Sequence, residues 1–401
     1  MKYYVIAGEA SGDLHGANLM RALREKDPDA EFRFWGGDLM AAVGGTPVRH
    51  IRDLAIMGFV EVLAHLGTVL GNIRFCKQDI LTYNPDAVVG VDYPGFNLKI
   101  EAWAHKQGFK TVHYISPNLW AWKKGRIKGM RRSLDRLCYI LPFEERFFAE
   151  NHMSQAVYVG HPLLDAIHCN RPADASSSTD KPLFFGCSSM VIEEQPKNNR
   201  RTTEEQTASE APVIALLPGS RRQELKNSLP LMAGLAAQHP EYRFVVAGMS
   251  LIGNQLYDEL IPASSGIEVV YDQTYALLAA AHAAVVCSGT ATLEAALFDV
   301  PQVVCYRANP VSIAIARAIV SRRIRYISLV NLIADRTVVT ELIQENFNAG
   351  RLEREFCLIA ADDACRRRMR DEYAAMRTLL GDGGASERTA QVITKLIHPT
   401  A

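Results

Sequence analysis

Tyr3-Tyr4-Val5-Ile6-Ala7-Gly8-Glu9-Ala10-Ser11-Gly12-Asp13 passes from an apolar run through a glycine turn into a helical pattern. The run is short and uninterrupted, which is how a strand buried on both faces of a parallel sheet reads. Glycines let the chain turn sharply and approach a ligand closely, and the helix start that follows offers unpaired N–H groups. The GxGxxG dinucleotide fingerprint is absent, and Glu9 at the strand end would repel a phosphate placed beside it. The plainer reading is a tight turn with Asp13 near a helix N-terminus.

The same strand-then-helix unit recurs along the chain. Residues 3–7, 87–91, 111–115, 137–141 and 157–159 read as buried strands, and a second series restarts at 213–217, 244–247, 268–271, 284–287 and 302–306. Apolar positions three and four apart predict helices over 13–25, 223–238, 275–281 and 290–298. Alternation of this kind predicts an α/β fold of two doubly wound, Rossmann-like domains facing each other across a cleft. Residues 173–212 differ in composition, with Ser176-Ser177-Ser178 and a polar stretch over 193–210, and read as a flexible connection. The expected division is 1–172, a connection over 173–212, and 213–401.

Bulk composition narrows the function. Of 401 residues, 48% are hydrophobic and 22% charged, which describes a globular chain. Lys+Arg and Asp+Glu balance at 44 each, so bulk charge argues against a nucleic-acid partner. The eight cysteines include no CxxC pair, which argues against a thiolate metal site and suits a reducing cytoplasm. Glu9 interrupts the N-terminal apolar run before a signal-peptide core is complete, and no uncharged run approaches membrane-spanning length.

Four further stretches carry candidate chemistry. Asp92, in Val91-Asp92-Tyr93-Pro94, stands just past the carboxyl end of a strand, where open α/β sheets bind ligands. It is either a general base or a cap of the next segment. Leu217-Pro218-Gly219-Ser220-Arg221 is a plausible diphosphate loop, with backbone N–H groups and a guanidinium; alternatively Arg221 pairs with a surface acid and Ser220 caps the helix. Ser288-Gly289-Thr290-Ala291-Thr292-Leu293-Glu294 is a second such loop, in which Glu294 can accept from two ribose hydroxyls or be a solvated helix carboxylate. Two phosphate-competent loops in one domain favour a nucleotide-diphosphate ligand. His113 and His161 lack metal-ligand spacing and read as structural, so neither a metal nor another cofactor is expected. The apolar stripe Val62, Leu63, Leu66, Val69, Leu70 and Ile73, and the basic residues over 123–132 and 317–325, are either a membrane-facing surface or ordinary core and solvated face.

Taken together, Gly8-Glu9-Ala10-Ser11-Gly12-Asp13, Met57-Gly58-Phe59-Val60-Glu61, Ser116-Pro117-Asn118-Leu119-Trp120-Ala121-Trp122, Gly160-His161-Pro162, Leu217-Pro218-Gly219-Ser220-Arg221, the loop ending in Glu294 and Ser328-Leu329-Val330-Asn331-Leu332 resemble the lipid-A-disaccharide synthase family. The resemblance runs in order from residue 1 to about 340. It implies a GT-B fold and an inverting glycosyltransferase that joins UDP-2,3-diacylglucosamine to 2,3-diacylglucosamine 1-phosphate, giving the β-1,6 disaccharide 1-phosphate and UDP. On this resemblance Asp92 is the base and Glu9 a supporting acid. Gly219, Ser220, Arg221, Ser288, Gly289, Thr290, Glu294 and Asn331 serve UDP, and Ser11, Met57, Gly58 and Glu61 line the acceptor side. It further implies a cytoplasmic enzyme held peripherally at the inner membrane of a Gram-negative bacterium, and it admits a homodimer. The connection over 173–212 is longer than is usual in the family, and in the usual way of the GT-B fold the C-terminal helices, near 362–380 and 386–397, are expected to pack back toward the first domain. The alternatives are a UDP-sugar 2-epimerase on the same fold, a related transferase acting on a muramyl lipid, and a non-catalytic nucleotide-sugar or lipid-binding protein.

Overall fold

Two parallel sheets organise the chain, seen here in a computed structural model that describes residues 1–54, 66–120, 125–168, 211–307 and 325–398. The first contains β1 (Lys2–Ala7), β2 (Glu31–Gly36), β3 (Thr46–His50), β4 (Ala87–Val91), β5 (Lys110–Tyr114), β6 (Arg136–Tyr139) and β7 (Ala156–Tyr158), in the order β3-β2-β1-β4-β5-β6-β7. The second contains β8 (Val213–Leu217), β9 (Arg243–Gly248), β10 (Glu268–Tyr271), β11 (Ala281–Cys287), β12 (Gln302–Tyr306) and β13 (Thr340–Ile343), in the order β10-β9-β8-β11-β12-β13. Both sheets are the doubly wound, Rossmann-like kind. In each, the order reverses beside the first strand, between β1 and β4 and between β8 and β11. Helices leave to opposite faces there, and a crevice opens at the carboxyl edge.

The burial pattern explains why the strands read as apolar runs. Tyr3, Val5 and Ala7 of β1 pack on one face with Ala17 and Met20 of the helix Ala10–Lys26 and with Ala390 and Ile393 of the helix Ala385–Ile397. Tyr4 and Ile6 pack on the other with Ile73, Cys76 and Ile80 of the helix Leu66–Tyr83 and with Phe96, Ile100 and Ala104 of the helix Pro94–Lys106. Each of the larger aliphatic and aromatic side chains among them contributes about 1.5–3 kcal/mol by leaving water.

The chain divides into two compact units, Met1–Ala166 with Leu380–Ala401, and Ile167–Leu379. The two C-terminal helices therefore separate. Ala385–Ile397 closes the first sheet, its N-terminus held by the Asp165 carboxylate, which accepts from the N–H groups of Gly384 (2.5 Å) and Ser386 (3.1 Å). The helix Asp363–Leu380 stays with the second unit through buried Met369, Tyr373 and Met376, and Arg377 donates to the carbonyl of Ala296 (3.1 Å). Sequence reading sent both helices to the first domain; these contacts place only the last one there. The expected connection over 173–212 lies outside the described residues, except for 211–212.

Asp13 emerges as a scaffold residue. Buried, it accepts from the N–H groups of Gly37 (2.7 Å), Leu39 (3.1 Å) and Met40 (3.1 Å), so it caps the helix Asp38–Val43 from across the fold. Asp13→Ala strands those donors and is expected to cost about 1–2 kcal/mol, the ordinary loss for a helix cap. Chemical denaturation should record it as a lower midpoint with unchanged slope.

Candidate active site

In the first unit the switch point brings two acids to neighbouring strand ends. β1 pairs with β4, Ala7 opposite Val91, so Glu9 and Asp92 both follow directly at the carboxyl edge. Glu9 begins the helix Ala10–Lys26, where its carbonyl accepts from the Asp13 N–H (2.9 Å), and Ser11 is exposed in the first turn. Gly8 is required for space: a Cβ there would run into the ring of Tyr93, 2.7 Å from its Cδ2.

Asp92 is held in an uncommon conformation. It and Tyr93 both have positive φ, 48° and 49°, before Pro94 starts the helix Pro94–Lys106. Left-handed backbone at non-glycine residues costs on the order of 1–3 kcal/mol and persists where surroundings enforce it. Here the Asp92 N–H donates to the Tyr114 carbonyl (2.8 Å), extending the β4–β5 ladder. Buried Asn97 then donates to the carbonyls of Asp92 (2.7 Å) and Ile6 (3.1 Å), tying the ends of β1 and β4 together. The Asp92 carboxyl titrates above the usual range because burial disfavours its charge, while His113 and the Tyr93 N–H pull it part of the way back.

His113 is fully buried on β5, opposite Gly90 on one side and Leu137 on the other, and its Nδ1 lies 2.8 Å from Glu101 Oε1. The structural reading of His113 from sequence missed this grouping with Asp92. A histidine inside a strand that sequence reads as buried was the available signal, because a buried polar group needs a partner. Buried His161 keeps a structural contact, Nδ1 accepting from the Leu163 N–H (3.3 Å). Burial and the nearby His15 push it down to about 3. At the end of β5, the Ser116 hydroxyl donates to Glu144 (2.6 Å), whose carboxyl burial pushes up to about 7. Met57, Gly58 and Glu61 lie outside the described residues.

In the second unit the switch point lies between β8 and β11, and both sequence-predicted loops stand there. Gly219 has φ +111°, and Ser220 and Arg221 are exposed ahead of the helix Arg222–Gln238. Glu224 is the acid that the alternative reading of Arg221 called for. It accepts from the Ser220 N–H (3.0 Å) and lies 3.6 Å from the Arg221 guanidinium, so a carboxylate rests among groups suited to a diphosphate. Across the crevice, Gly289 and Thr290 are exposed at the start of the helix Thr290–Leu297, which has no side-chain cap. The Ser288 hydroxyl is engaged with the Ile327 carbonyl (3.0 Å).

Glu294 has an unusual setting for a carboxylate. Burial pushes it up to about 7, with the Tyr275 hydroxyl, 3.4 Å away, offsetting part of that. Such a group gains from new hydrogen-bond donors. Asn331, by contrast, is already complete. Its Oδ1 accepts from the N–H groups of Val338 (2.8 Å) and Val339 (3.0 Å), and its Nδ2 donates to the Val339 carbonyl (2.9 Å) and Glu341 (2.9 Å). The amide's two donors and two acceptor sites are all used. The Asn331 side chain thereby braces the segment that the Ser288 hydroxyl touches. Among the described residues no group of His, Cys, Asp and Glu is assembled to hold a metal ion, and no helix is long and apolar enough to cross a membrane.

Two doubly wound units, the second with anion-competent loops at its switch point, define a GT-B-type fold. Solved structures with this architecture are similar over nearly the whole chain. They include a UDP-GlcNAc 2-epimerase from Neisseria meningitidis bound to UDP-GlcNAc (TM-score 0.65, 12% identity, 98% of this chain and 100% of that one). Another is the glycotransferase of kitacinnamycin (TM-score 0.60, 15% identity, 99% of each). At such identities the likeness concerns the fold alone. Sequence resolves the family. The model for lipid-A-disaccharide synthetase matches residues 3–183 and 188–395. Lipid-A-disaccharide synthases of Chromohalobacter salexigens (35% identity, 99% of this chain and 97% of that relative) and Syntrophus aciditrophicus (36%, 98% and 97%) align end to end. The chain belongs to the lipid-A-disaccharide synthase family.

Proposed function

We propose that this chain transfers 2,3-diacylglucosamine from UDP to the primary hydroxyl of 2,3-diacylglucosamine 1-phosphate, with inversion, releasing UDP. The observation that carries this reading is the pair of switch points, one bearing carboxylates and the other bearing anion-competent loops. Asp92 takes the hydroxyl proton as the oxygen attacks the anomeric carbon, with Glu9 and Ser11 beside the acceptor. Backbone N–H groups of the Gly219–Arg221 and Ser288–Thr290 loops, with the Arg221 guanidinium, receive the diphosphate as its bond to that carbon breaks. Glu294 accepts from the ribose hydroxyls, and Glu224 leaves Ser220 when UDP binds. UDP release from UDP-diacylglucosamine should require the lipid monosaccharide phosphate. Release without acceptor, or conversion of UDP-N-acetylglucosamine alone to its manno epimer, would contradict this reading.

The acyl chains also bear on location. Among the described residues of the stripe, Ile73 is buried and Val69 packs against the core, but Leu70 is 51% exposed. The helix Arg126–Ser133 presents Lys128, Arg131 and Arg132 to solvent above buried Ile127 and Met130. We propose that this face meets an anionic membrane surface at the cytoplasmic side. Leu70→Ser should lower binding to anionic vesicles several-fold and leave UDP affinity intact. Unchanged sedimentation with vesicles would remove Leu70 from the contact.

A further inference from the structure

Three elements converge beneath Asp92. β5 supplies His113, the helix Pro94–Lys106 supplies Asn97 and Glu101, and β4 supplies Gly90 and ends at Asp92. His113, Glu101 and Asn97 are each completely buried. Glu101 Oε1 receives the proton of His113 Nδ1 at 2.8 Å, which leaves Nε2 as the free end of the ring. That Nε2, Glu101 Oε2 and Asn97 Oδ1 are buried without a protein hydrogen-bond partner. Gly90 makes the room: a Cβ there would strike the Glu101 carboxylate and lie 3.0 Å from Asn97 Cβ. A buried acid and imidazole gathered under a reacting carboxylate call for an account, since apolar residues would fill the same space without desolvating charge.

The geometry points to His113 and Glu101 as a positioning pair for Asp92: Glu101 holds the imidazole in its cationic form, and that cation keeps the Asp92 carboxylate ionised until the acceptor hydroxyl delivers its proton. This rests on Asp92 being the base. The pair exchanges no proton. The hydroxyl proton goes to Asp92, the oxygen bonds to the anomeric carbon, and the electron pair of the breaking bond leaves with UDP. Among the described residues two charged groups act on the ring. Glu101 faces it from the helix and Asp92 from the end of β4, while Gly90 and Leu137 flank it on the neighbouring strands. Burial on its own would lower the imidazole. Glu101, by charge and hydrogen bond, and then Asp92 outweigh it, so the net displacement is upward. The influence is mutual, since His113 in turn draws Asp92 downward against burial.

The test is the pH dependence of kcat/KM for the full chain, together with imidazole NMR of His113. Without the cation Asp92 holds its proton more tightly, so in His113→Gln and Glu101→Gln the acidic limb should move up by about one pH unit. Activity just below the limb would fall roughly tenfold, with a smaller loss on the plateau and unchanged UDP affinity. Uniform loss at every pH with an unmoved limb would make the pair structural only and overturn the proposal. NMR keeps the question open to refutation if those variants do not fold. In the unsubstituted protein His113 should be an imidazolium at pH 7, and Asp92→Asn should lower its titration. A neutral His113 at pH 7, or a titration indifferent to Asp92→Asn, overturns the pairing. If Asp92→Asn turns over normally while His113 still responds to it, the linkage stands and the base assignment alone has failed.

Discussion

Asp92→Asn is expected to lower turnover by about 10²–10⁴-fold, with UDP affinity and melting temperature close to those of the unsubstituted protein. A hydroxyl is a poor nucleophile until its proton has somewhere to go, and asparagine keeps the shape of aspartate without its basicity. The choice of asparagine matters for this backbone. Position 92 has φ 48°, a region that Asn tolerates about as well as Asp and Ala does not. The Asn97 bond is made to the carbonyl of residue 92, so it survives the substitution. Initial rates at saturating donor and acceptor, beside calorimetry with UDP, separate chemistry from binding. Glu9 is the rival, one strand away. Near-full activity in Asp92→Asn with a dead Glu9→Gln would move the base to Glu9.

The second large effect concerns the nucleotide. Arg221→Ala and Glu294→Ala should each weaken UDP binding by about 1.5–3 kcal/mol, or roughly 10- to 150-fold. Unchanged affinity in both variants would remove the second unit as the nucleotide site. Glu294 adds a pH signature. Its carboxyl sits near 7 in the free protein because burial disfavours the ionised form, and ribose hydroxyls donate best to that ionised form. UDP should therefore lower the Glu294 pKa on binding. Affinity should rise as pH climbs toward 7 and level off above it. Glu294→Gln should remove this component, leaving only the titration of UDP itself, which both proteins share.

The parts of the fold legible in sequence were those where burial is nearly complete. β4, β8 and β12 read as they stand, because strands covered on both faces leave uninterrupted apolar runs. β2, β3 and β13 were missed for the converse reason. In β2, Arg33 breaks the run, and its charge is answered only in the fold, by a bidentate bond to Asp79 (2.8 and 2.6 Å). β3 is an edge strand carrying Pro47 and much solvent exposure. β13 carries Glu341, whose carboxylate gathers the N–H groups of Ile327 and Ser328 and the Asn331 amide. The candidate site divides in the same way. Loops beyond strand ends announce themselves through glycines and polar residues, whereas Asn97 and the His113–Glu101 pair act through contacts that sequence spacing does not encode. Asn331 was read from its motif as a ligand contact, and its hydrogen bonds give it a bracing role.

The division of labour between the two switch points can be measured directly by hydrogen–deuterium exchange of the full chain with and without saturating UDP. Slower exchange in residues 218–224 and 288–294, with 8–13 and 92–97 unaffected, is the expected result. Protection concentrated at 8–13 and 92–97, with the second pair of loops unchanged, would place the nucleotide on the carboxylate-bearing unit and contradict the account.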